Sequence, residues 1–340
     1  TIGLIENGSW APTAARVMTG MFEKSKEITW LEHSVKIMSS LSEENEKELA
    51  VRLNLTIRDI PFEGGRLSQA LALCTIVYLF ADWGAGQQEI FRGTVWEWEH
   101  SRIAGDSIVL TCYDLLFYLQ KSTDSKYYAK GKTTQSIMSD ILTSWNVPVG
   151  EYSGANVTHQ KILYKSKTIS AMLTETLDDA KKLGGAKSII RANKGKADVV
   201  KQGGNPDIYA FTADTNLTAS KDKFSMTNLV TRVVITGKDD SEGRPKVEAT
   251  VDGDVEYGIL QSVKAAGSSS LADAKKEAQE LIDEKGKPER TITFQSPDFP
   301  LIRKGDRIHA KTDGLSGFFY VLGITHNATT MTMQMEVEPA

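Results

Sequence analysis

The chain has 340 residues and a mass of 37.4 kDa, with 40% hydrophobic and 25% charged side chains. That composition excludes a disordered or collagen-like chain, and the length exceeds what one hydrophobic core fills, so two or three domains are expected. Forty basic against 44 acidic side chains give a formal net charge of -4, which excludes a globally basic nucleic-acid binder and leaves a local basic patch open.

Two cysteines, Cys74 and Cys112, cannot make a disulfide framework, and their apolar surroundings predict two reduced core thiols. His33, His100, His159, His309 and His326 are scattered, with no pair at metal-ligand spacing, so no metal is expected. The longest apolar stretch, Ala70–Ala81, is well short of the roughly 20 residues of a spanning helix, and no membrane insertion is expected. The opening TIGLIENGSWAPTAARV lacks a basic stretch followed by an apolar block, so it does not read as a secretory signal, and synthesis in a cytoplasm is the default.

Along the chain, residues 1–27 read as an N-terminal arm. Pro12 near a helix start and Val17, Met18, Met21 and Phe22 on one stripe predict a short amphipathic helix over Ala11–Lys26. From residue 28 to about 125 the period becomes two. Glu27–Met38 reads as a strand and Ser39–Lys47 as a polar connection. Leu49–Arg58 places Val51, Leu53, Leu55 and Ile57 on one face and Arg52, Asn54, Thr56 and Arg58 on the other, the signature of a half-buried strand. Thr75–Phe80, Glu89–His100 and Ser107–Tyr113 continue the series, with a turn at Arg102–Asp106. Sequential antiparallel strands with short turns predict a small barrel or sandwich.

Residues 126–206 read as a compact α/β unit. One helix covers Lys132–Trp145 and ends before Pro148; a second covers Thr168–Leu183 and stops at Gly184-Gly185; Lys187–Ala192 and Ala197–Lys201 pair across Asn193-Lys194-Gly195. Residues 207–340 return to strands: Leu229–Thr236, Lys246–Val251, Arg290–Phe294, Arg307–Lys311, Phe318–Ile324 and Met331–Val337. One helix, Leu271–Lys285, interrupts them behind a Ser270/Asp273 capping pattern. The fold class expected is α+β, mainly β: two β domains around a small α/β insert, with an N-terminal helical arm.

Motifs that carry chemistry are missing. There is no P-loop, G-x-S-x-G elbow or H-E-x-x-H. Asp252–Gly258 (DGDVEYG) alternates carboxylates as a calcium loop would, but glycine is not sixth and no helices flank it, so it reads as a turn. Cys112 alternates with Ile108 and Leu110 and so points into a core rather than serving as a nucleophile. Trp96 and Trp98 share a strand face with Arg92 and Thr94 in a simple alternation; they are core residues, a partner-binding face, or a sugar platform. No catalytic or cofactor-binding residue is expected, and the simplest reading is a structural or binding protein.

Three stretches carry a resemblance. Gly105–Gly150 has a strand ending in Tyr113-Asp114, then Tyr118–Ser122, the pair Tyr127-Tyr128, Lys130–Thr133 leading a helix, and Val147–Gly150 closing it. Lys161–Val200 has a helix preceding a Gly195-Lys196 turn. Lys304-Gly305-Asp306-Arg307-Ile308 is followed by Gly317–His326. In this order they resemble the XkdQ-type proteins of PBSX-like prophages, in the late-control-D group of contractile-tail baseplate hubs. The resemblance implies a non-enzymatic structural protein with two tail-tube-like β-barrel domains (28–125 and 207–340). It implies a homotrimeric ring that adapts a sixfold tail tube to a threefold spike. Tail tube protein, spike protein, tape-measure and other baseplate proteins are the implied partners, with DNA passing through the lumen without specific binding. The implied place is the virion tail baseplate of a phage or tailocin, assembled in the bacterial cytoplasm. The other reading is a cell-wall glycan-binding module of a tail-associated protein.

Overall fold

The computed structural model describes residues 15–19, 31–35, 37–62, 65–81, 88–102, 106–239, 242–267 and 270–340. In chain order the first part forms β1 (Ala15–Thr19), β2 (Leu31–Val35), β3 (Ile37–Glu44), β4 (Arg52–Arg58), the two-residue strands β5 (Pro61–Phe62) and β6 (Gly65–Arg66), the single-turn α1 (Leu67–Ala70), β7 (Ile76–Ala81), β8 (Gln88–Ser101) and β9 (Ser107–Tyr113). The α/β insert follows as α2 (Phe117–Lys121), β10 (Thr123–Tyr128), α3 (Thr134–Ser144), β11 (Val149–Tyr152), β12 (Ile162–Thr168), α4 (Ile169–Lys182), β13 (Ser188–Asn193) and β14 (Lys196–Lys201). The remainder is β15 (Ala210–Thr212), β16 (Ala219–Ser225), β17 (Arg232–Asp239), β18 (Pro245–Asp252), β19 (Gln261–Ala265), α5 (Leu271–Lys285), β20 (Glu289–Pro297), β21 (Arg307–Lys311), β22 (Ser316–Asn327) and β23 (Thr332–Pro339).

The molecule is mainly β, with mostly antiparallel ladders, and divides into two compact units. The larger comprises the chain up to Ser220 together with Thr293–Ala340; the smaller is Lys221–Ile292. In the larger unit one sheet runs β20-β23-β22-β3-β4-β9-β8-β7-β1-β2, with β21 added on β22 and β15 on β21. The period-two pattern of β4 is what seats it. Leu53, Leu55 and Ile57 are fully buried and meet Cys112, Leu110 and Ile108 of β9 in register. Burying each such side chain is worth about 1.5–3 kcal/mol. Val77, Leu79, Phe91 and Val95 complete this core. The C-terminal ladder is built likewise from Ile308, Phe319, Val321, Ile324, Met333, Met335 and Val337.

Two expectations fail in the first strands. Ala15–Thr19 is a strand rather than part of a helical arm, pairing β2 on one side and β7 on the other. An open edge on β7 would leave a row of backbone N–H and C=O groups unpaired, and that demand overrides a weak local helix pattern. The rest of that arm, residues 1–14 and 20–27, lies outside the described residues. Ser39–Glu44 is also strand, not a polar connection: β3 pairs β4 on one side and β22 on the other. Its serines hid the period, since small polar side chains tolerate a paired position without advertising a buried face.

The insert packs helices α2, α3 and α4 on its ribbons around Ile137, Met138, Ile141, Met172 and Leu173. Its helix ends match the sequence. Thr133 and Ser136 cap each other reciprocally at the start of α3. At its end Asn146 takes a positive φ of 55°, while Asn146 N–H and Val147 N–H donate to the carbonyls of Thr143 and Leu142. That is a Schellman closure, so the helix stops at Asn146 before Pro148 acts. Lys194 and Gly195 both have positive φ, as a two-residue hairpin turn between β13 and β14 requires. In the smaller unit the sheet β18-β17-β19 lays Val233 and Ile235 on Ala274, Ala278 and Ile282 of α5, whose N-cap Ser270 accepts from Asp273 N–H. No helix among the described residues is long and apolar enough to cross a membrane.

Candidate functional site

The insert is joined to the sheet by a buried cluster of charges. The loop between β20 and β21 supplies Arg303, Lys304 and Asp306. Arg303 Nε donates to the Glu44 carboxylate at the end of β3, and its Nη1 donates to the Ala192 carbonyl of β13 (3.1 Å). Lys304 Nζ donates to the carbonyls of Glu48 (2.6 Å) and Asn45 (3.1 Å). Asp306 accepts from Arg191 Nη1 (2.8 Å) and from Arg303 N–H (2.9 Å). Burial pushes the Glu44 carboxyl up, but the Arg303 guanidinium, with the Lys304 and His326 charges, outweighs it and holds the group below the usual range. Burial pushes Asp306 up and Lys304 down.

Gly305 closes this loop. Its φ is +87°, and a Cβ there would stand 1.9 Å from Ile189 Cδ1 of β13. Its N–H donates to Val321 and its carbonyl accepts from Gly203, both at 2.7 Å. Both the left-handed backbone and the contact with the insert require glycine. Gly305→Ala is expected to cost about 1–3 kcal/mol of stability, read as a lower denaturation midpoint; an unchanged midpoint would show that Ile189 moves aside freely.

Beside the cluster lies a cavity of about 240 Å³, lined in part by Val51, Phe91, Arg92, Asp114, Lys194 and Leu301. Asp114, at the end of β9, is 2% exposed. Its Oδ2 accepts from Val51 N–H and its Oδ1 from Leu116 N–H, both at 2.9 Å. Burial outweighs these bonds and the nearby Arg303 charge, and its carboxyl is pushed up to about 7. Arg92 is tied to Glu89 and lies over the Tyr78 ring at 4.7 Å. The three stretches singled out in the sequence therefore converge here: Asp114 from the first, Gly195 from the second, and Lys304-Gly305-Asp306 from the third.

The two tryptophans do not share a face. β8 carries a bulge between Val95 and Glu97, which face Cys112 and Thr111, so Trp96 is the extra residue. Its ring packs against Tyr113, Phe117 and Tyr118 at 4.7–6.2 Å. Trp98 lies opposite Leu110 and is 37% exposed. The bulge shifts the alternation by one residue, which period-two reasoning does not foresee.

Cys112 is buried, as expected, and burial pushes its thiol up to about 12, which removes thiolate chemistry at neutral pH. Cys74 is exposed rather than core: it sits in a turn at φ 66°. His100 is brought to Asp106 (3.0 Å) and Asp59 (3.3 Å), a grouping the scattered histidines did not predict. Arg66 also pairs with both carboxylates, so the group is an internally neutralised ion-pair cluster. His159 is fully buried between Asp179 (2.6 Å) and Thr134 (2.8 Å), a core histidine satisfied at both nitrogens. DGDVEYG forms the turn between β18 and β19, as read from sequence.

A family model described as YQBQ-like matches residues 80–338. No curated protein sequence matches the chain. Among solved structures, the 43 kDa tail protein of prophage MuSo2 from Shewanella oneidensis is similar at a TM-score of 0.63 and 13% identity, covering 96% of this chain and 98% of that one. A tail protein from Neisseria meningitidis MC58 gives 0.62 at 15% identity, covering 95% and 96%. An E. coli component of the type VI secretion system, described as structurally similar to the T4 bacteriophage tail proteins gp27 and gp5, gives 0.54 at 10% identity, covering 95% and 76%. At these identities the likeness shows a shared fold, that of solved phage tail proteins.

Proposed function

The chain belongs to the YQBQ-like family, and on that premise we propose that it is a structural hub of a contractile-tail baseplate, in a phage or a tailocin. The observation that carries this reading is the likeness to prophage tail proteins over 96% of this chain and 98% of the other. In this reading the chain is not an enzyme. The two tube-like barrel domains are drawn from residues 28–125 and 207–340, Ala15–Thr19 of the N-terminal stretch joins the first as strand β1, and 126–206 is a decorating α/β domain. Three copies close into a ring, so that six barrels meet a sixfold tube above while the threefold axis meets the spike below. Tail tube and spike proteins are its neighbours, tape-measure and other baseplate proteins lie further out, and DNA passes through the lumen without specific contacts. A spike partner is supported by structures of a PdpA–VgrG complex from Francisella, whose fold resembles this chain at TM-scores of 0.56 and 0.58. Trp98, 37% exposed, is assigned to a subunit contact; Trp96, packed on Tyr113, Phe117 and Tyr118, is assigned to the interior.

A cyclic assembly needs no self-complementary patch, because one surface of each copy meets a different surface of the next. Light scattering on a concentration series, alone and with purified tube and spike proteins, tests the reading. The expected species is a trimer of 37.4 kDa chains, about 112 kDa, imaging as a hollow ring in negative stain. A chain that stays monomeric alone and with both partners would overturn it, and binding to purified cell wall instead would favour the glycan-binding module.

A further inference from the structure

Charge is segregated along this chain. Residues 126–206 hold 13 lysines and arginines against 6 aspartates and glutamates, a surplus of seven positive charges in a chain whose net charge is -4. Part of that surplus lies on one open face. The β10–β12 ribbon turns Lys126, Tyr128 and Tyr164 inward, where Tyr128 and Tyr164 join the insert core. Its other face carries Tyr127 opposite Leu163, exposed by 61% and 50%. Lys161 and Lys165 flank Leu163 at period two, and Lys130 and Lys132 stand at the ribbon's end, where Gly131 N–H donates to the His159 carbonyl. All four lysines are exposed, and none has an ion-pair partner among the described residues. An apolar pair ringed by charges of one sign is the anatomy of a docking surface.

The opposite surface occurs in the same chain. The Asp252–Leu260 turn holds Val255, Tyr257, Ile259 and Leu260 at 46%, 44%, 60% and 38% exposure. Four large apolar side chains in so short a turn are more than isolated exposure explains. Asp254 and Glu256 alternate with them and are exposed; Asp252 is tied to Arg232. The turn is shaped, not loose: Glu256 N–H donates to Asp254 Oδ1 and Thr231 Oγ1 to the Gly258 carbonyl. Each surface is exposed.

We propose that the Tyr127/Leu163 face of one copy, with its lysines, receives the Asp252–Leu260 turn of a second copy, the apolar side chains meeting at the centre and Lys161 and Lys165 facing Asp254 and Glu256. The contact is heterologous, as a closed ring requires, and it rests on the ring reading given above.

Charge exchange in the full-length protein tests the assignment. Lys161→Glu with Lys165→Glu, and separately Asp254→Lys with Glu256→Lys, are each expected to weaken self-association by about tenfold or more, and the four changes combined to restore it. All four positions are exposed, so an unchanged thermal midpoint verifies the fold of each variant. Tyr127→Ala is expected to weaken association as well, without salt dependence. If the wild type forms a trimer and the exchanges leave it intact, or if the combined variant fails to recover, this surface assignment falls and the ring reading stands. If the wild type never assembles, alone or with tube and spike, both fall.

Discussion

Arg303→Ala is expected to destabilise the fold by about 3–5 kcal/mol, the largest effect of any single substitution at the joint. The guanidinium does three things at once. It neutralises Glu44, whose side chain is 5% exposed; it donates to the Ala192 carbonyl; and its charge helps hold Asp114. Removing it leaves a carboxylate buried without a cation, and Glu44 already has one oxygen with no hydrogen-bond partner among the described residues. The sign of the pair's net contribution is a separate matter, because burying two charges costs nearly what their attraction returns. Glu44→Gln combined with Arg303→Met should therefore lose much less than Arg303→Ala alone. Chemical denaturation of the three variants reads both numbers. A loss below about 1 kcal/mol for Arg303→Ala, the scale of an exposed ion pair, would show that water reaches Glu44 and that the joint is not closed.

Stability should fall as pH rises between about 4 and about 7, opposite to the trend of a protein whose carboxylates are all paired. The sign follows from Asp114. Its folded value is raised to about 7, against about 3.9 in the unfolded chain. Between those values the folded state keeps a proton that the unfolded state has released, so unfolding releases it and higher pH favours unfolding. The contribution is complete below the unfolded value and lost as pH passes the folded one, with a ceiling on the order of 4 kcal/mol. Asp306, also raised by burial, adds in the same direction. Glu44 works against both, since its lowered value contributes stability that disappears only on further acidification. Denaturation midpoints from pH 5 to 8 should decline in the wild type and decline much less in Asp114→Asn, which retains one of the two backbone bonds and cannot titrate, the remaining slope coming from Asp306. A wild-type profile that rises over this range would overturn the assignment.

Strand periodicity and helix caps were legible in the sequence for a common reason: both are local. The alternation of Val51, Leu53, Leu55 and Ile57 states which face is buried without reference to any other part of the chain, and Ser270 before Asp273 states where α5 begins. What the sequence concealed is non-local. β3 is spelled with serines and glutamates and becomes a strand because β4 and β22 supply partners on both sides. A single bulge sent Trp96 and Trp98 to different environments although their spacing is two. The charged joint was present in the sequence only as fragments. Tyr113-Asp114 and Lys304-Gly305-Asp306 stood out by resemblance, but Glu44 lay in a segment read as a connection, and nothing local marks it as the partner of an arginine 259 positions away. The usable signal was the set of charged residues bordering strand ends, Asp114 after Tyr113 and Arg303 before Arg307, where a solvated turn and a buried staple look alike.

The seam between β3 and β22 also sets the order in which the molecule comes into being. Glu44 and Ile324 are ladder partners 280 positions apart, and every residue of the insert and of Lys221–Ile292 lies between them. At translation speeds of roughly 5–20 residues per second, β3 emerges on the order of 15–60 s before the strand that covers it. Throughout that interval β3 presents an open edge, while the insert, whose helices and hairpin pair within some 80 residues, has time to form. A nascent chain stalled before Ser316 is thus a folded insert attached to an unfinished sheet, and any quality-control system that recognises bare strand edges has its longest opportunity here.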